Sequence, residues 1–266
     1  MNGSLALILS LLGGILPALF WLWFWQRQDR LKPEPRLNLL ATFIAGAIAV
    51  LIALFFENYF STLFSRAISD GTLIGDFWDN VINTFNYYDL PLDRFALIII
   101  LAPVIEELAK FLLTYFFALR RKDNDEPIDA SIYLITAALG FSAVENAIFL
   151  LEPFTKGQLA TAIVNGNFRT IGPMLIHLVA SAVIGMFIGF AFYKSKIAKI
   201  VSVIIGLISA IVLHASFNLF IMFSEKTHDG TYSLLACVFV WILLFGLLIA
   251  FSRVKKVTSD KACLIE

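Results

Sequence analysis

Residues 95–119 read FALIIILAPVIEELAKFLLTYFFAL. The run is long enough to cross a bilayer, yet Glu106, Glu107 and Lys110 sit in its middle. An ionisable group at that depth costs about 2.5–3.5 kcal/mol even on a lenient insertion scale, so it persists only where it faces a protein interior or a watery cavity. Glu106 and Glu107 are therefore candidate functional residues. The plainer alternative is that Glu106 and Lys110, four apart with the acid first, merely neutralise each other on one helix face. It leaves Glu107 unexplained.

Outward from this stretch the whole chain is apolar. Its 266 residues are 59% hydrophobic and 15% charged, with 26 Phe, and the mean hydropathy is +0.84. That composition excludes a water-soluble globule. Apolar runs predict an all-α, polytopic membrane bundle of about seven transmembrane helices, at 5–25, 37–56, 95–119, 128–151, 170–193, 200–223 and 232–252. No positive n-region precedes the first run and no small-residue cleavage site follows it, so it reads as a retained span. The chain shows no internal repeat or low-complexity tract. It reads as a single integral membrane domain, 1–266: N-terminal helices in 1–56, an outer connection 57–94, a central set at about 95–223, and a last helix 232–252. The outer connection mixes aromatics with acids and suits an interfacial helix or a folded lid. Cys237 and Cys263 have no metal-site spacing, and no disulfide is expected between them.

Charge orients the bundle. Fourteen Lys and Arg fall in links 26–36, 120–127 and 194–199 and in the tail after Ser252, whereas five fall in links 57–94, 152–169 and 224–231. The positive-inside rule then puts the amino terminus outside and the carboxyl terminus in the cytoplasm. The remaining cation is Lys110.

Few polar groups lie deep in the spans: Glu106, Glu107, Lys110, Glu145, Asn146, His177, His214 and Asn218. Phe141 and Glu145 are four apart, as are His214 and Asn218, so each pair shares a helix face. At a helical rise of about 1.5 Å per residue, Glu106, Glu145, His177 and His214 lie roughly 9–16 Å from the outer ends of their spans. Four spans that place ionisable groups at similar depth predict one polar cavity open toward the outside. The alternative is a set of separate interhelical hydrogen bonds worth about 1 kcal/mol each. In a cavity, a desolvated carboxylate beside a like-charged neighbour is a general base or acid for water. His214 and Asn218 are donors for an oxyanion. No serine or cysteine is placed as a nucleophile, although Ser142 and Ser181 are near in sequence. Glu and His are also metal-ligand types. Without an H-E-x-x-H motif, a metal ranks below the glutamate-water scheme, and no cofactor is expected.

Glu106-Glu107-x-x-Lys110, Phe141-x-x-x-Glu145-Asn146, the isolated His177 and His214-x-x-x-Asn218, in that order on successive spans, resemble the motifs of the PrsW-type intramembrane proteases. Those resemble, more distantly, the CAAX prenyl endoproteases. The likeness covers about 103–219. It implies a peptidase acting in or at the face of a bacterial cell membrane on single-span membrane proteins of the anti-sigma-factor kind, on the extracytoplasmic side. It implies no nucleic-acid partner. Carried onto this chain, Glu106 is the general base and Glu107 supports it or binds the water. Glu145 partners water activation, standing where the prenyl endoproteases have His. His177 positions water or substrate, His214 and Asn218 form the oxyanion site, and Lys110 holds the carboxylates. Two other classes stay open: a non-catalytic scaffold of the same fold, and a proton-coupled carrier using the Glu and His residues as a relay. Against the carrier, there is no inverted-repeat pattern.

Overall fold

The computed structural model describes residues 2–28, 32–69 and 96–257. These form α1 (Gly3–Gln26), α2 (Arg36–Ser69), α3 (96–119), α4 (Asp129–Thr155), α5 (Leu159–Ile171), α6 (Pro173–Phe190), α7 (Lys196–Thr227) and α8 (Gly230–Val254), with no strand among the described residues. Six stretches are long and apolar enough to cross a membrane, α5 and α6 counting together as Leu159–Phe190. The fold is an all-helical membrane bundle. The lid expected within 57–94 lies, from residue 70 on, outside the described residues, as does Cys263.

Two connections between the expected spans are helical. α2 runs on past residue 56 to Ser69, since the segment beginning Glu57-Asn58-Tyr59 contains no Gly or Pro to stop it. The link 152–169 is mostly α4's last turn and α5. Its apolar residues hold it down: Ala162 packs with Ala6, Leu150 and Phe154. The chain breaks between α5 and α6 at Gly172-Pro173, because Pro173 has no N–H to continue a helix but suits a first turn.

α4 and α6 form the centre. In α4 and in the α5–α6 segment 72% of the apolar window is buried inside the protein, against 22–39% in the other spans. Small residues allow this closeness. A Cβ built on Gly46 of α2 would stand 1.9 Å from the Ala137 carbonyl oxygen of α4. On Gly14 of α1 it would stand 2.1 Å from the Ala143 carbonyl oxygen. On Gly185 of α6 it would stand 2.4 Å from Ser131 Cα of α4. Gly46→Ala therefore forces α2 and α4 apart and is expected to cost about 1–3 kcal/mol. The thermal unfolding midpoint in detergent measures it, and an unchanged midpoint would show that the contact has slack.

α3 has α-helical geometry only in Ala102–Thr114; wider π-helical turns flank it at Ala96–Leu101 and Tyr115–Leu119. Its buried side is Pro103, Glu106, Glu107, Ala109, Lys110 and Thr114, while Leu108, Leu112 and Phe116 are exposed on the lipid side. The stripe of ionisable groups thus points inward.

The basic links gather at one end of the bundle. Lys32 pairs with Asp125 and Glu126 at 3.6 and 3.4 Å. Asn38 donates to Asp123 at 2.8 Å and accepts from Arg121. The Tyr133 hydroxyl donates to Glu34, and Lys255 donates to the Gln28 carbonyl. At the opposite end α7 closes on His228, in the left-handed region at φ 53°, and the Asp229 side chain caps α8 by accepting from Thr231 N at 2.9 Å. The third histidine is thus a turn residue, far from the other two.

Candidate active site

The site grows from the inward stripe of α3. Glu107 and Lys110 are both fully buried, and their charges meet at 2.5 Å between Lys110 Nζ and Glu107 Oε1. This corrects the pairing of Glu106 with Lys110 considered from sequence. Glu107 is the deeper carboxylate, also accepting from Ser181 Oγ at 3.2 Å and bonded to His214 Nδ1 at 3.0 Å. A carboxylate so removed from water needs the ammonium as counter-charge. Glu106, one residue earlier, turns toward open space, and its buried Oε2 has no hydrogen-bond partner among the described residues.

Hydrogen-bond partners set the histidine tautomers. His214 Nδ1 donates to Glu107, which leaves the lone pair on Nε2, 4.0 Å from Glu106 Oε2. His177 Nε2 donates to Glu145 Oε2 at 3.2 Å, which leaves Nδ1 as the acceptor. That Nδ1 is 3.0 Å from Lys110 Nζ and 3.6 Å from Glu106 Oε2. The two rings meet edge to face with centroids 4.7 Å apart. Phe141 backs the group, its ring 5.1 Å from His177 and 4.7 Å from the Lys110 ammonium. One donor atom each from Glu106, His177 and His214 lies within 4.8 Å of the others.

These groups line a cavity of about 510 Å³ together with Glu145, Asn218, Arg169 and Glu57. It sits in the half of the bundle away from the basic links, where Glu225 on the last turns of α7 is exposed. Among the predicted site residues, Glu107 and Lys110 stand behind the cavity wall rather than on it. Asn146 turns from the histidines toward Arg169, whose Nε donates to Asn146 Oδ1 at 2.6 Å.

The geometry brings together residues of all four sequence motifs. A family model described as PrsW family intramembrane metalloprotease matches residues 34–247, most of the chain. The chain belongs to the PrsW family. Its relatives include proteins named Protease PrsW. That of Geobacillus kaustophilus is 30% identical over 36% of this chain and 39% of the relative. That of Shouchella clausii is 29% identical over 52% and 60%, and that of Clostridioides difficile 23% identical over 80% and 79%. The first two matches thus span less than two thirds of the relatives' length. No solved structure matches.

The metal in the family's description can be tested against the donor set. Two imidazoles whose carboxylate partners turn their lone pairs inward, plus an orphaned carboxylate oxygen between them, suit a divalent cation held by two His and one Glu. Lys110 occupies His177 Nδ1 in the structure, so ammonium and metal are alternative partners of that nitrogen.

Two site residues, Arg169 and Glu57, stand outside the sequence reading, and a third, Ser181, enters it only as a serine near the site. Arg169 is counted among the loop cations, although it stands only eight residues before His177. Ser181 is four residues after His177, on the same helix face, and that spacing was a usable signal. Glu57 directly follows the second apolar run, and nothing in the sequence links it to the other glutamates.

Proposed function

We propose that this PrsW-family chain is an intramembrane endopeptidase that hydrolyses a peptide bond of single-span membrane proteins. The observation that carries the reading is the meeting of Glu106, His177 and His214 in a polar cavity within a membrane bundle. Glu106 takes a proton from water as the water oxygen attacks the scissile carbonyl carbon. It returns that proton to the amine nitrogen as the C–N bond breaks. His177, held by Glu145 at Nε2 and by Lys110 at Nδ1, walls the side of the cavity on which that water sits. Asn218 donates to the oxyanion directly, whereas His214 Nε2, an acceptor in the resting tautomer, becomes a donor only once it is protonated. Glu107 and Lys110 hold His214 and His177 in register from behind.

A divalent cation on Glu106, His177 and His214, when bound, supplies Lewis-acid activation of the water. Purified wild type is expected to retain about one ion per chain after desalting, and His177→Ala and His214→Ala to lose it. Elemental analysis measures this without any assay of activity, and equal metal content in all three would remove the cation from the site.

On the positive-inside rule the end carrying the basic links faces the cytoplasm of a bacterial cell, so the cavity opens on the extracytoplasmic side of the cell membrane. The reading is tested by incubating the purified chain in liposomes with single-span reporters and sequencing the fragments by mass spectrometry. Cleavage near the outer membrane face supports it, and a cut at the cytoplasmic face would reverse the orientation.

A further inference from the structure

Arg169 belongs to none of the four motifs, yet it lines the cavity and grips one wall of it. Its Nη2 lies 2.7 Å from Glu145 Oε2, a charge contact, while its Nε makes the aligned hydrogen bond to Asn146. The guanidinium also stacks 3.8 Å from the ring centre of Phe149. The three contacts fall on residues 145, 146 and 149, one side of α4. We propose that Arg169 is a positioning residue of the active site. It holds the Glu145 carboxylate where that carboxylate fixes His177, with the imidazole lone pair turned toward Glu106. The inference rests on the peptidase reading above.

The fold explains how Arg169 reaches this place. In an unbroken helix Arg169 and His177, eight residues apart, would be separated by about 12 Å along the axis. The break at Gly172-Pro173 lets the last turn of α5 and the first turns of α6 flank one carboxylate. Glu145 Oε2 serves both neighbours, Arg169 on one side and His177 Nε2, at 3.2 Å, on the other. Without the guanidinium, Glu145 keeps His177 as its hydrogen-bond partner among the described residues and can rotate away from it. The grip needs a planar fork with a stacking face, which an ammonium lacks.

The test measures kcat and KM on a single-span reporter for the full chain as wild type, E106Q, R169K and R169A. Expected for R169K is a loss of about 10–100-fold in kcat, the usual effect of removing a group that orients a site histidine, with KM changed by less than about threefold. Guanidinium ion at a concentration harmless to wild type is expected to restore part of the rate of R169A. R169K with wild-type kcat, a loss carried by KM instead, or a membrane-inserted R169A that guanidinium does not revive would each overturn the proposal. If R169A fails to insert, R169K decides, since it keeps charge and length. A wild type that cuts no reporter overturns the peptidase reading, and an active E106Q overturns the assignment of catalysis to this site; either takes this inference with it.

Discussion

Glu106→Gln is expected to abolish cleavage of a single-span reporter, with a fall on the order of 10²–10⁴-fold, the range for removing a general base. The substitution keeps the shape of the side chain and removes only its charge. Because Glu106 Oε2 has no hydrogen-bond partner among the described residues, no hydrogen bond described there is lost with the charge. An ionised carboxylate buried without a partner also opposes folding, so the amide variant is expected to insert and unfold at wild-type temperature or higher. Loss of activity and loss of fold are thus separable here. Reporter fragments and insertion are measured in the same membranes. Retained cleavage by well-inserted Glu106→Gln would remove the Glu106 carboxylate from the reaction.

The largest effect on stability is expected at Lys110. Both members of the Lys110–Glu107 pair are fully buried, and among the described residues the 2.5 Å contact is the one full counter-charge beside Glu107; its other partners there are a serine hydroxyl and a histidine. Lys110→Met strands the carboxylate, which costs about 3–5 kcal/mol in comparable buried pairs. The thermal midpoint in detergent should fall accordingly, and the double variant Glu107→Gln/Lys110→Met should recover much of the loss because the stranded charge is gone. A single variant as stable as wild type would mean that Glu107 is neutral in the folded protein. In that case the inward hydrogen-bond directions assigned to His214 would need reversing. The double variant is expected to stay inactive even when stable, since neither histidine is then held from behind.

The sequence by itself determined the membrane bundle, because hydrophobic length is a local property and the cost of burying charge in lipid admits few exceptions. Those exceptions, Glu106, Glu107, Lys110, Glu145, His177, His214 and Asn218, marked the site for the same reason. Helical spacing also showed that Phe141 lies on the face of Glu145, and Asn218 on that of His214. Which carboxylate took the ammonium was decided only in three dimensions. Glu106 and Glu107 are adjacent, each can reach Lys110 along the helix, and the choice depended on His214 and Ser181 arriving from other helices. The place of Arg169 was likewise beyond local reading. Its role follows from the break at Gly172-Pro173 and from the small-residue packing that brings α4 against its neighbours, and both express contacts between segments distant in the chain.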